Sequence, residues 1–175
     1  MKNIENETLV FDNNVLSNFA RVERTNLILK LPCNLITTRE VFEELQEGIS
    51  SNFILKPELS EKLAVLTEII NMGKISIKSP EQIISLKLFA RLEELKCLGR
   101  GEISAMVLAK ELEAVFVADE KRAKNEALRQ SIKIFDKAEF RDTIFILDYL
   151  KDEKIISQSE LLRIKEQLRS NNFFC

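Results

Sequence analysis

Four acids, Asp12, Glu44, Glu102 and Asp119, fall at or near segments that a fold could gather at one edge. Asp12 ends the apolar run Thr8-Leu9-Val10-Phe11, and Asp119 ends Val115-Phe116-Val117-Ala118. Glu102 follows Gly99-Arg100-Gly101 and opens a helix of small and apolar residues, Ile103-Ser104-Ala105-Met106-Val107. Glu44 lies within Arg39–Glu47, a helical pattern. Two carboxylates ~4 Å apart repel by roughly 4 kcal/mol at a surface-like dielectric. Four gathered together would therefore need a cation or protonation. Oxygen-rich sites of this kind suit Mg²⁺ or Mn²⁺. A metal so held can orient and activate water for attack on phosphorus.

The chain contains no histidine, so a His-based triad or the usual Cys/His zinc site is excluded, and acid–base work falls to carboxylates, lysines or metal-bound water. Each acid also has a plainer use. Asp12 could cap a helix, and Glu102 could merely favour a helix N-terminus. Glu43, Glu44 and Glu47 could form a solvated face, and Asp119-Glu120 a turn and first helical turn.

These segments need a scaffold. Thr8–Phe11 and Val115–Val117 are short continuous apolar runs, the pattern of strands covered on both faces. Asn34–Thr38 reads as a second strand ending in a cap, and Ile132–Phe135 as a last strand ending at Asp136. Lys74–Lys78 alternates like a half-exposed edge strand. Between them lie helical patterns: one from Val15 with Asn13 or Asn14 as cap, one over Arg39–Glu47 stopped by Gly48, and one opened by Pro57 and ended by Gly73. Further helices follow Ser79-Pro80, Gly101, Glu120 and about Glu139, and Ser157–Glu160 caps a last one over Ser159–Leu168. Alternating strands and helices predict an α/β fold, a mostly parallel sheet of four to five strands flanked by helices. Ligands in such sheets bind beyond the carboxyl ends of the strands.

With 175 residues, 45% hydrophobic and 31% charged, the chain is expected to form one domain, a core of about 8–136 with a helical extension over about 139–172. No apolar run approaches the ~20 residues of a membrane span. The polar N-terminus is no signal peptide, and three unpaired cysteines fit a reducing compartment, so a cytoplasmic protein with no membrane partner is expected. The formal charge of −2 gives no global pull on nucleic acid, so any phosphate-binding surface must be local. Arg100, Lys121, Arg122 and Lys124 flank the third and fourth acids and are candidates for it, against a solvated helix face as the alternative. Ser17 and Thr37 are possible supporting donors.

At these residues the sequence resembles the PIN-like family, which includes the VapC-type toxins. The family's opening strand, Asp and apolar helix is matched by Leu9-Val10-Phe11-Asp12-Asn13-Asn14-Val15-Leu16, and its second acid by Glu44 in Val41-Phe42-Glu43-Glu44-Leu45. Its Gly-x-Gly-Glu block is matched by Gly99-Arg100-Gly101-Glu102, and its fourth by Val117-Ala118-Asp119-Glu120-Lys121-Arg122-Ala123. The match runs from about Leu9 to Phe135, and the tail from Phe140 to Phe174 looks like the closing helices of one PIN-like branch.

The resemblance implies a Rossmann-like fold and metal-dependent RNA cleavage, with Mg²⁺ or Mn²⁺ held by Asp12, Glu44, Glu102 and Asp119, and Glu120 as an outer ligand through water. It implies an RNA substrate and a homodimer, and points to a small antitoxin partner. Asn13 departs from the Thr or Ser that many members carry after the first Asp, and Glu120 from a frequent second Asp. The leading expectation is therefore a toxin-like endoribonuclease that Asp12→Ala or Asp119→Ala inactivates without unfolding. The rival readings are a PIN-fold scaffold without turnover and a nuclease acting on DNA.

Overall fold

A computed structural model describes residues 4–135 and 141–171. Five strands form one sheet: β1 (Thr8–Phe11), β2 (Asn34–Thr38), β3 (Ser76–Lys78), β4 (Val115–Val117) and β5 (Lys133–Ile134). Their order is β3-β2-β1-β4-β5, and every pairing is parallel. The α/β fold with helices around a parallel sheet is thus as the sequence pattern predicts. β1 is central, with Leu9, Val10 and Phe11 fully enclosed. Its alignment with β2 sets Phe11 opposite Thr37, and with β4 sets Phe11 opposite Val117.

The helices are α1 (Asn13–Arg21), α2 (Thr25–Ile28), α3 (Arg39–Asn52), α4 (Pro57–Asn71), α5 (Ile83–Glu94), α6 (Arg100–Glu111), α7 (Lys121–Arg129), α8 (Asp142–Asp152) and α9 (Gln158–Ser170). One hydrophobic cluster runs from Ile4 to Leu168 and joins the sheet to α1, α3, α4, α6, α8 and α9. No described helix is long and apolar enough to cross a membrane.

Several local expectations change. α3 runs through Gly48 to Asn52 instead of stopping there, and a β-carbon at Gly48 would lie 3.3 Å from Leu63 Cδ1. Gly48 is a close approach between α3 and α4, not a terminator. Gly73 does terminate α4, at φ +74, a conformation that glycine adopts freely. Ser79-Pro80 does not begin α5. The N-cap is Gln82, and Glu111 at the end of α6 accepts the amides of Glu81 and Gln82 at 3.2 Å. The last strand is only Lys133–Ile134, and the short α2 has no clear sequence signal. Asp136, Glu139, the start of the predicted tail at Phe140 and the terminal Phe173-Phe174-Cys175 lie outside the described residues.

Candidate active site

Strand order reverses direction between β1 and β4, which places the ends of these two strands at the sheet's switch point. Asp12 follows β1 directly, and its amide donates to Val117 O at 3.0 Å. The residue is 1% exposed. It occupies the N-cap position of α1, yet its side chain makes no capping hydrogen bond, and Asn13 and Asn14 are the first two helical residues rather than the cap. Asp12 Oδ2 is buried without a hydrogen-bond partner among the described residues. Burial, then the charges of Glu102 and Glu44, push this carboxyl well above the usual carboxylate range, while the amides of Asn13 and Asn14 oppose them.

The first turns of α1 arrange the neighbouring acids. Asn13 Nδ2 donates to Glu44 Oε2 at 3.2 Å, and Ser17 Oγ donates to Asn13 Oδ1 at 2.8 Å, which fixes the amide's orientation. Asn14 Nδ2 donates to Glu120 Oε1 at 3.1 Å, and Asn18 Nδ2 to Asp119 Oδ2 at 2.7 Å. Positions 13, 14, 17 and 18 share one face of a helix by the 3.6-residue period. One polar patch therefore reaches acids from α3 and from the end of β4. Ser17 supports the site through Asn13, whereas Thr37 donates to Phe11 O at 3.1 Å and tethers β2 to β1.

Glu44 is half-buried while Glu43 and Glu47 are exposed, so the helix period aims only Glu44 of the three inward. Its Oε1 accepts the Gly101 amide at 2.8 Å. A β-carbon on Gly101 would lie 2.6 Å from Glu44 Oε2, closer than atoms can approach. The Gly preceding Glu102 is therefore the space in which the Glu44 carboxylate sits. Glu102, at the third position of α6, reaches back to accept the Gly99 amide on Oε2 at 2.8 Å. Its Oε1 is buried without a partner among the described residues. Burial raises its pKa, opposed by the Gly99 amide and Arg122, and the acids Glu120 and Glu44 raise it further.

Asp119 is bound differently. Oδ1 accepts the Thr143 amide at 2.9 Å, and Oδ2 accepts Thr143 Oγ1 at 2.6 Å besides Asn18. It thereby caps the first turn of α8 from outside that helix. Burial still raises its pKa against these bonds. Beside it, Asp142 Oδ2 accepts the Ala118 amide at 2.9 Å, and Asp142 Oδ1 pairs with Lys124 Nζ at 2.5 Å, both side chains being wholly enclosed. Burial pushes Asp142 up to about 6 despite Lys124. Asp142, Thr143 and Asn18 carry no sequence signal of their own. Lys124 is neither a phosphate rim nor a solvated face, but the inner partner of this joint. Its position between Ala123 and Ala127 on one face of α7 was the available signal.

Among the remaining cations, Arg122 lies against the acids, 3.5 Å from Glu102 Oε2 and 3.2 Å from Glu120 Oε2. Arg100 pairs with Glu93 at 3.2 Å, and Lys121 is exposed. Glu40, one turn before Glu44, accepts Ser104 Oγ at 2.5 Å and adds an acid that sequence did not mark.

Asp12, Glu44 and Glu102 are thus mutually close enough to disturb one another electrostatically, with Glu120 beside Glu102, whereas Asp119 faces Asn18 and Thr143. Among the described residues, no three carboxylates converge as they stand on a common point that could hold an ion. The donor chemistry nonetheless fits a hard divalent cation: two buried carboxylate oxygens, Asp12 Oδ2 and Glu102 Oε1, lack any partner among the described residues, and burial, with the acids around them, raises their pKa values. A family model described as DUF3368, a PIN domain, matches residues 8–175. No curated protein matches the chain.

Proposed function

The chain belongs to the PIN-domain family, a family of nucleases, and from that premise we propose that it is a metal-dependent endoribonuclease acting as the toxin of a toxin–antitoxin pair. The observation that supports this reading is the pair of buried carboxylate oxygens without partners, Asp12 Oδ2 and Glu102 Oε1. A buried anion left unpaired is costly, and a cation is the partner that such a site lacks. Asp12, Glu44 and Glu102 would hold Mg²⁺ or Mn²⁺, with Asp119 as a further ligand and Glu120 acting through water. When bound, the ion would supply charge neutralisation at the phosphate and ease the deprotonation that makes water nucleophilic.

The chain's own residues do the rest. Asn13 and the Gly101 amide hold Glu44 in place, and the Gly99 amide holds one oxygen of Glu102 so that the other faces the cluster. Asp119 or Glu102 would also orient the attacking water. Arg100, Lys121 and Arg122 are the candidates for holding substrate phosphate.

The test is cleavage of a broad RNA panel, with a matched DNA panel, in Mg²⁺ or Mn²⁺ and in excess EDTA. RNA cleavage that EDTA abolishes is expected. Equal cutting in EDTA would overturn the metal mechanism, and cutting of DNA alone would transfer the reading to a DNA nuclease. A scaffold without turnover is the second reading. It is favoured by Glu44, whose two oxygens are already held by Gly101 and Asn13. Retained partner binding with neither metal uptake nor cleavage would establish it. The homodimer is checked by light scattering, and the antitoxin by co-purification with the product of the adjacent reading frame.

A further inference from the structure

The turn between α3 and α4 carries three consecutive large apolar residues, Phe53, Ile54 and Leu55, that are 70%, 86% and 82% exposed. Single exposed apolar side chains are ordinary, but three in succession on a surface turn present one contiguous patch, which is unfavourable in water unless something covers it. Through Leu55 the turn leads into a cavity of about 730 Å³. Three helix ends meet there: Arg21 closes α1, Pro57 and Leu59 stand in the first turn of α4, and Ser170 and Asn171 stand at the end of α9. α1 starts at the acidic cluster, so Arg21 at its other end sets this cavity on the far side of the molecule.

Two further observations bear on what covers the patch. Arg21 Nε is buried without a hydrogen-bond partner, and the guanidinium holds no ion pair among the described residues, whereas Lys62 on the same wall lies 2.9 Å from Glu23. A buried donor left unpaired is costly. Asn171, on the cavity wall, is the last described residue, so Asn172, Phe173, Phe174 and Cys175 leave from that wall. At ~3.5 Å for each residue, Phe173 and Phe174 can reach ~7–10 Å from Asn171, roughly the width of a cavity of this size. The segment is matched as part of the domain, since the family model extends to residue 175.

We propose that Phe173 and Phe174 dock on Phe53, Ile54 and Leu55 and into this cavity of the same chain, with the Arg21 guanidinium against the segment. The chemistry agrees on both sides. Two phenyl rings complement an exposed patch of one aromatic and two aliphatic side chains, and aromatic pairs add attraction beyond the area they bury. An arginine without hydrogen bonds can stack on a ring face or donate to the carbonyls of the segment. Docking within one chain has an entropic advantage over any separate partner, because a short tether holds its ligand at an effective concentration of about mM order. The docked segment fastens the end of α9 to α1 and α4, away from the acidic cluster, so the inference stands apart from the nuclease reading.

The chain contains no tryptophan, so Phe174→Trp or Phe173→Trp places a single reporter in the segment. The test measures emission and acrylamide quenching of each reporter variant, and melting temperatures of the native protein and of the double variant Phe173→Ala, Phe174→Ala. At least one reporter should emit to the blue of the unfolded chain and be quenched at least about tenfold more slowly, the ratio that burial of one such ring sustains. Adding Leu55→Asp, at a position 82% exposed among the described residues, should return quenching toward the unfolded value. Ile83→Asp, at a similarly exposed apolar position on α5, should leave it unchanged. The double alanine variant should melt about 4–10 °C lower than the native protein. Unfolded-like quenching of both reporters, protection that Leu55→Asp leaves intact, or an unchanged melting temperature of the double variant overturns the proposal. Protection that falls on dilution assigns the patch to the segment of a second copy, and overturns docking within the chain.

Discussion

Two groups of buried carboxylates sit close together in the fold, and they are satisfied to opposite degrees. Asp119 and Asp142 form a closed joint with Thr143, Asn18, Lys124 and the Ala118 amide. Asp12 and Glu102 form an open cluster in which each retains a buried oxygen without a partner among the described residues. The joint fastens α8 to the end of β4, so its acids serve the fold, Asp119 in addition to the ligand role proposed for it. The cluster gains nothing from its burial unless a further positive charge arrives, so its acids serve something other than the fold.

The largest effect that would separate the two regions is on stability. Lys124→Ala leaves Asp142 as an enclosed charge, and a loss of about 3–5 kcal/mol is expected by chemical denaturation. A loss under about 1 kcal/mol would show that the joint is not what holds α8. Asp12→Asn should do the reverse. It should leave the melting temperature unchanged or raised while abolishing metal-dependent cleavage, because the carboxylate it removes has a buried oxygen without a bond. A substantial fall in melting temperature would place Asp12 with the structural acids.

Asp119→Asn lies between these cases. It disturbs bonds from Thr143 and Asn18, and about 1–3 kcal/mol of stability should be lost with any activity. This differs from the expectation that Asp119 could be replaced without structural consequence. Activity assays of that variant therefore need a folding control such as circular dichroism.

Titration compares the regions together. Asp12, Glu102, Asp119 and Asp142 all have raised folded-state values, Asp142 about 6. The folded protein thus binds more protons than the unfolded chain between the ordinary carboxyl values and the raised ones, and its stability falls as pH rises through that window. Without metal, melting temperature should rise as pH is lowered from about 7 to about 5. Mn²⁺ at neutral pH should recover part of the difference if Asp12 and Glu102 bind it, whereas the share due to Asp142 should remain. The smallest effect concerns Arg122, which is 59% exposed and so only weakly held. Arg122→Ala should tighten Mn²⁺ binding by a few-fold in calorimetry, since the guanidinium lies against the Glu102 carboxylate that the ion would use. Weaker binding would contradict the competition.

Much of this was legible in the sequence. Apolar runs buried on both faces identified the strands, and the alternation at Lys74–Lys78 pointed to the edge strand Ser76–Lys78, whose side chains are exposed while Ile75 just before it is buried. Glycine was readable at Gly73, where backbone conformation alone is at issue. It misled at Gly48, where the reason for glycine is the close approach of Leu63 from another helix. Asp12, Glu102 and Asp119 stood out as candidates because each adjoins a recognisable local boundary, whereas Glu44, inside α3, was singled out from Glu43 and Glu47 only by the family resemblance.

The chain alone therefore determined element types, strand ends and the acids attached to them, all consequences of near-neighbour spacing. Tertiary structure decided which acids are open and which are closed. Asn13 meets Glu44 across 31 positions, Asn18 meets Asp119 across 101, and Lys124 meets Asp142 across 18. Whether a buried carboxylate is paired or left open depends on partners that only the folded chain brings within hydrogen-bond reach.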